Sequence, residues 1–202
     1  MNKAIFGGTF DPIHIGHIHI AYEALYKLNL DEVVFVPNGH PPHKRNKSVT
    51  KENIRYEMVE EAIKGEKRFS ISNYEINNSK LSYTYDTLIH FNKLEPNTKW
   101  YFLVGVDSLM NFNKWKNIDI ILKNCTLVVF SRSGYMKDEI FETKKFLEEK
   151  YNTSIVLLNM PVFDISSTDI KKRMEKDEKV YYMLPLGVMK IINKYNLYRN
   201  KV

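Results

Sequence analysis

A series of short, uninterrupted apolar runs limits what this chain can fold into more than any other feature. They are Ala4-Ile5-Phe6, Val33-Val34-Phe35-Val36, Tyr101-Phe102-Leu103-Val104, Leu127-Val128-Val129-Phe130 and Ile155-Val156-Leu157-Leu158. Each is too short for a buried helix, rich in β-branched and aromatic residues, and bounded by Gly, Asn, Pro or Ser. Continuous apolarity without alternation marks strands covered on both faces, as in a parallel sheet. Between the runs the spacing turns helical. Ile18, Ala21, Tyr22, Leu25 and Leu28 form one stripe after Gly16; Ile54, Met58, Val59 and Ile63 form a second; Leu88, Phe91 and Leu94 form a third. Strand–helix–strand alternation with right-handed crossovers predicts an α/β, Rossmann-like, doubly wound parallel sheet. Ser166–Glu175 and Pro185–Asn196 read as two more helical stretches. They predict a small C-terminal helical appendage, about 166–202, within a single domain spanning 1–202.

Composition narrows the setting. At 202 residues, 44% hydrophobic and 27% charged, the chain is long enough to bury a core without staples and too apolar to be disordered. Cys125 is the single cysteine, so no intramolecular disulfide forms, which fits a reducing, cytoplasmic setting. No run of about 18 apolar residues exists to span a membrane, and the segment Met1 to Gly7 is too short for a signal peptide. The net charge of +6, from 30 basic and 24 acidic residues, favours anionic partners. Only six of the 30 basic residues are arginine. That lysine excess fits solvated surface better than base-edge readout, so nucleic acid is not an expected partner.

Ligands of open α/β sheets bind beyond the carboxyl ends of the strands. The segment leaving the first strand reads Gly7-Gly8-Thr9-Phe10-Asp11-Pro12-Ile13-His14-Ile15-Gly16-His17. Its glycines let backbone amides approach a phosphate, and a helix start behind them makes an anion-binding corner. His14 and His17, three apart, fall on one side of that helix with Cβ atoms about 5–6 Å apart. Such a pair can bracket one phosphate and donate to oxygens that gain charge in a transition state. A zinc site needs a third and usually a fourth ligand, a place that His19, His40 and His43 could fill. The expectation is no protein-held metal.

The segment Gly7 to His17 resembles the signature of the nucleotidyltransferase superfamily with the T/H-x-G-H motif, and its full form resembles the nicotinate-nucleotide adenylyltransferases in particular. His14-Ile15-Gly16-His17 also matches the first signature of class I aminoacyl-tRNA synthetases, but no Lys-Met-Ser-Lys-Ser-like loop follows and 202 residues leave no room for a tRNA-binding domain. The resemblance implies further sites. In Pro41-Pro42-His43-Lys44 the lysine is associated with catalysis and phosphate binding. Ile165-Ser166-Ser167-Thr168-Asp169-Ile170-Lys171 matches Ile-Ser-Ser-Thr-x-Ile-Arg, associated with the β- and γ-phosphates, with Lys171 at the arginine and Lys172 and Arg173 following. A helix start capped by serine explains part of that pattern by itself. Tyr83-Thr84-Tyr85-Asp86-Thr87-Leu88 resembles the acceptor-facing Tyr-Thr-x-Asp-Thr-Leu, and Gly105-Val106-Asp107 resembles the family's Gly-x-Asp. Trp115 stands where the family stacks a tryptophan on nicotinate, although core packing explains it equally well. Arg132-Ser133-Gly134 replaces Arg-Pro-Gly, and Asn113-Lys114 replaces Leu-Pro.

What the resemblance implies is adenylyl transfer from ATP to nicotinate mononucleotide, giving deamido-NAD and pyrophosphate. His14, His17 and Lys44 would be catalytic. ATP would lie against Gly7, Gly8, Thr9, Phe10, Gly105, Asp107, Ile165, Ser166, Ser167, Thr168, Lys172 and Arg173. The mononucleotide would lie against Gly8, Lys44, Thr84, Trp115 and Arg132. Mg²⁺ would arrive on the ATP phosphates. Two unit charges 4 Å apart repel by about 4 kcal/mol at an effective dielectric near 20, so the histidine pair, Lys44 and the Lys171–Arg173 cluster are expected to supply counter-charge. Nicotinamide mononucleotide, pantetheine phosphate and a cytidylyl donor are the alternatives within the class. A basic nucleic-acid-binding module is the alternative outside it. A homo-oligomer is compatible with this sequence, which does not fix the oligomeric state.

Overall fold

The computed structural model describes residues 1–39, 49–78, 81–132, 138–161 and 163–199, with Ser131 and Arg132 described by their backbone alone. Six parallel strands form one sheet: β1 (Asn2–Gly8), β2 (Glu32–Pro37), β3 (Phe69–Ile71), β4 (Lys99–Gly105), β5 (Thr126–Arg132) and β6 (Ile155–Met160). Their order is β3-β2-β1-β4-β5-β6. The chain therefore winds outward twice from a central switch point between β1 and β4. Ile5 faces Val34 on one side and Phe102 on the other, so the carboxyl ends of β1 and β4 lie side by side. This is the predicted class, and the five apolar runs are five of its strands.

The strand without a sequence signal is β3. It has three residues and lies at the sheet edge, where only Phe69 is buried. An edge strand of that length carries no apolar run to detect.

Among the described residues eight α-helices cover the sheet: α1 (Ile15–Lys27), α2 (Glu52–Ile63), α3 (Thr84–Leu94), α4 (Val106–Met110), α5 (Ile118–Asn124), α6 (Asp138–Tyr151), α7 (Ser167–Glu175) and α8 (Val188–Lys194). On one face Ala21, Ala24 and Leu25 of α1, Met58 and Val59 of α2, Ile170 and Met174 of α7, and Val188 and Ile192 of α8 share a core with Ala4, Phe6 and Phe35. On the other, Leu88 and Phe91 of α3, Leu109 of α4, Ile121 of α5 and Leu147 of α6 pack against Ile5, Phe102 and Val129. Each fully buried Leu or Phe contributes about 1.5–3 kcal/mol. The C-terminal helices thus pack on the same face of the sheet as α1 and α2. The third predicted stripe is one turn too long, because Leu94 is exposed. Helix α6 escaped the sequence reading because only Ile140 and Leu147 of its fourteen residues are buried.

Candidate active site

A cleft of about 570 Å³ opens at the carboxyl ends of β1, β4 and β5. Gly7 and Gly8 of β1, Gly105 and Asp107 after β4, Phe130 of β5, His14 and His17 at the start of α1, and Ile165 to Thr168 at the start of α7 border it. It is where the switch-point rule places a ligand.

His14 is the N-cap of α1, in extended backbone, and its carbonyl accepts from the His17 amide at 2.9 Å. The two rings lie with centroids 3.7 Å apart and planes tilted by 32°. Gly16 makes this possible: a Cβ there would stand 3.0 Å from His14 Nδ1. The amide of His14 donates to His17 Nδ1 at 3.2 Å, so a neutral His17 ring carries its proton on Nε2. Phe10 meets the His17 ring edge-on at 5.1 Å, and Phe6 lies 6.0 Å away. Burial pushes His14 down to about 4, and burial followed by the neighbouring His14 holds His17 well below the ordinary histidine range. Both shifts favour neutral rings near pH 7, where a neutral imidazole offers one N–H donor.

The start of α7 forms the opposite wall. Ser166 caps it, its Oγ accepting from the Asp169 amide at 3.1 Å. The Ser167 hydroxyl donates to the Pro12 carbonyl at 2.9 Å, tying this helix to the turn after β1. The three basic residues behind it separate. Lys171 Nζ pairs with Asp11 at 3.0 Å, and Arg173 pairs with Asp169 at 2.8 Å and Glu178 at 3.1 Å. Lys172 is exposed, and among the described residues it has no ion pair.

Two residues that sequence reasoning missed hold this side together. Arg55, 1% exposed, donates to the carbonyls of Thr9 at 2.7 Å, Asn38 at 2.6 Å and Thr50 at 2.9 Å. Thr9, predicted to touch ATP, presents its carbonyl to Arg55 and does not line the cleft. Asp11, 4% exposed, accepts from Lys171, from the Tyr198 hydroxyl at 2.6 Å and from the Thr50 amide at 3.4 Å. Neither was legible. A buried arginine on an amphipathic helix reads as a surface residue, and the partners of Asp11 are scattered over the chain.

Of the predicted acceptor residues Gly8 borders the cleft, whereas Thr84 and Trp115 sit elsewhere. Thr84 is the first residue of α3, and neither it nor Trp115 borders the cleft. Trp115 is half-buried, packed on Phe112 at 5.0 Å and on Phe102 at 6.2 Å, so the packing role is realised while part of the ring remains accessible. Glu75, also missed, anchors this side: it accepts from the buried Thr87 hydroxyl at 2.7 Å, and burial pushes its carboxyl above the usual range. Pro41, Pro42, His40, His43, Lys44, Ser133 and Gly134 lie outside the described residues, as does the Arg132 side chain. Among the described residues no three His, Cys, Asp or Glu side chains converge to hold a metal ion, and no helix is long and apolar enough to cross a membrane.

The family model described as cytidylyltransferase-like matches residues 5–173, which carries the matched region from β1 through the start of α7. A protein of Clostridium kluyveri named "Probable nicotinate-nucleotide adenylyltransferase" is 54% identical over 98% of this chain and 100% of its own length. One of the same name from Clostridium novyi is 51% identical over 98% of both. The chain belongs to the nicotinate-nucleotide adenylyltransferase family. It is an enzyme, a nucleotidyltransferase. In fold it is similar to the Plasmodium falciparum nicotinic acid mononucleotide adenylyltransferase complexed with NaAD, with a TM-score of 0.78 at 24% identity, covering 98% of this chain and 97% of that one. In the fold seen here, the Gly7–His17 segment, Gly105-Val106-Asp107 and Ile165–Thr168 converge on one cleft, which Thr84 and Trp115 do not border.

Proposed function

We propose that this enzyme transfers the adenylyl group of ATP to the 5′-phosphate of nicotinate mononucleotide, giving deamido-NAD and pyrophosphate in NAD biosynthesis. The observation that carries the reading is the pair of close, tilted imidazoles at the carboxyl end of β1, facing a capped helix start across one cleft. An oxygen of the mononucleotide phosphate attacks the α-phosphorus in line. The new P–O bond forms as the bond to the α,β-bridging oxygen breaks, and that electron pair leaves with pyrophosphate. No covalent enzyme intermediate is involved, and little proton transfer is needed, because the nucleophile is already ionised.

His17 Nε2–H and the ring of His14 donate to the oxygens of the α-phosphate. Neutral donors fixed in a dry site stabilise developing charge without reorganising at the moment of reaction. Gly7, Gly8 and Phe10 shape the approach of the nucleotide to β1. Gly105 and Asp107 meet the nucleoside after β4, with the Asp107 carboxylate accepting from ribose hydroxyls. Ile165, Ser166, Ser167 and Thr168 present the amide end of α7 to the β- and γ-phosphates. Lys172 and Arg173 add positive charge there; of the two, Lys172 is the one not already held by a carboxylate. Lys44 and Arg132 supply the remaining cationic contacts, Lys44 to both substrates and Arg132 to the mononucleotide. Thr84 and Trp115 take the nicotinate ring. Mg²⁺ is carried in on the triphosphate, where it neutralises part of the phosphate charge.

The whole chain acts as one nucleotidyltransferase domain, α7 and α8 included. We assign it to the cytoplasm, where ATP is abundant and the half-buried Cys125 thiol stays reduced, with small nucleotides rather than nucleic acid as partners. Initial rates with MgATP and either nicotinate or nicotinamide mononucleotide, measured side by side, test the reading. The nicotinate form is expected to have the higher kcat/KM, and pantetheine phosphate to give no product. Absence of turnover with both mononucleotides overturns the proposal.

A further inference from the structure

Asp11 lies in the turn between β1 and α1, and its contacts come from the far ends of the molecule. Its Oδ2 takes Lys171 Nζ from α7 and the amide of Thr50; its Oδ1 takes the hydroxyl of Tyr198, 187 positions along the chain. The spokes also touch one another. Thr50 Oγ1 donates to the Tyr198 hydroxyl at 3.2 Å, and Lys171 Nζ lies 5.7 Å from the centre of the Tyr198 ring. Arg55 then joins the Thr50 carbonyl to those of Thr9 and Asn38. The network thus fixes the turn that carries the histidine pair against α7, the C-terminal segment, and both described ends (Asn38 and Thr50) of the segment that contains Lys44.

We propose that Asp11 is the hub of a positioning network, with Lys171, Tyr198 and Arg55 as its spokes, and that Lys171 serves the reaction as the counter-ion of Asp11 and not as a phosphate ligand. The inference rests on the adenylyl-transfer reading only for its kinetic readouts. A lysine whose ammonium is held 3.0 Å from a carboxylate that is itself 4% exposed cannot move to a phosphate without leaving a buried charge unpaired. Burial alone would raise the Asp11 carboxyl, but hydrogen bonds from Thr50, Tyr198 and Lys171 outweigh it and hold the group below its ordinary value. The Tyr198 phenol is pushed far up by burial and then by Asp11, so it stays a donor. The other charged group near this cluster is the Arg55 guanidinium, whose field reaches Asp11 and which Glu52 and Glu75 also face.

The test uses the full chain with Lys171→Met, Asp11→Asn, the double variant and Tyr198→Phe, read by thermal melting, kcat and KM for MgATP, and the pH profile of kcat. A positioning role predicts that Lys171→Met lowers the melting temperature by about 6–12 °C. It should also lower kcat roughly thirtyfold while KM for MgATP moves less than about threefold. Without its cation Asp11 titrates higher, so the acid limb of that variant moves up by about one pH unit or more. Adding Asp11→Asn removes the stranded charge, abolishes that limb and restores at least about half of the lost melting temperature, a coupling that distant, independent sites do not show. Tyr198→Phe gives the same pattern in milder form. The proposal is overturned if Lys171→Met raises KM for MgATP about tenfold or more at unchanged kcat, or if the double variant shows no rescue. Should the wild type fail to turn over either mononucleotide, the functional reading falls, while the melting cycle still decides whether the network exists.

Discussion

On the α1/α7 side of the cleft, polar groups distant in sequence hold each other: Ser167 reaches Pro12, Tyr198 reaches Asp11, and Arg55 spans Thr9, Asn38 and Thr50. On the α3 side, Thr84 opens a helix and Trp115 leans on Phe112 and Phe102, with Glu75 and Thr87 as the buried polar anchor between them. The α1/α7 side, the proposed donor side, is over-determined by buried hydrogen bonds, whereas the α3 side, the proposed acceptor side, rests mostly on apolar packing. Under the proposed function, preorganisation of the α1/α7 side suits the task of steadying a triphosphate. Fixed dipoles are most effective where charge develops, and an aromatic surface needs only to be in place for the ring it stacks on.

Four measurements sharpen or break this contrast. The largest effect is expected for Arg55→Met. It strands several buried carbonyls at once and should cost about 4 kcal/mol or more in denaturant unfolding; a loss comparable to that of a surface substitution would show that the donor side is not held by this residue. Next comes acidification. His14 is neutral in the folded protein with its pKa at about 4, against about 6.5 when unfolded. The unfolded chain therefore takes up the proton first. Stability is full above about pH 6.5 and should fall by about 3 kcal/mol on the way to pH 4. In His14→Asn the fall should be visibly shallower, and an unchanged slope would place the titration elsewhere. Third, His17→Ala should lower turnover by at least about a hundredfold, some 2.7 kcal/mol of transition-state stabilisation, with circular dichroism unchanged. Normal turnover in a well-folded variant would mean that the imidazole pair has been given the wrong role. Smallest, Trp115→Ala should raise KM for the mononucleotide about tenfold and leave KM for MgATP within about threefold. Equal changes in both would erase the distinction between the sides, and no change would return Trp115 to packing alone.

The readability of the molecule follows the same division. Strands β1, β2, β4, β5 and β6 announce themselves because burial on both faces demands unbroken apolar runs. β3 is silent because an edge strand of three residues needs none. The Ser166 cap is local, so sequence spacing predicts it and the structure returns it; His14 and His17 do meet, but with His14 as the extended N-cap of α1 rather than inside the helix. The charge state of the histidines is not local. It depends on burial, with Phe6 and Phe10 closing around the His17 ring, which spacing along the chain does not show. The Lys171–Arg173 cluster divides in a way that spacing does not show: three adjacent positive residues look alike in sequence, yet one is paired with Asp11, one with Asp169 and Glu178, and one stays in solvent.

By itself the sequence determined the doubly wound sheet, the place of the cleft at its carboxyl edge and the residue types that border it, because periodicity, capping and turn chemistry act over a few residues. Tertiary structure alone decided which of those groups carry charge, which are spent on holding others, and that Asp11, Arg55 and Tyr198 belong to the site. Burial and ion pairing depend on which groups meet across long stretches of chain, and only the folded molecule brings residues 11, 55, 171 and 198 together.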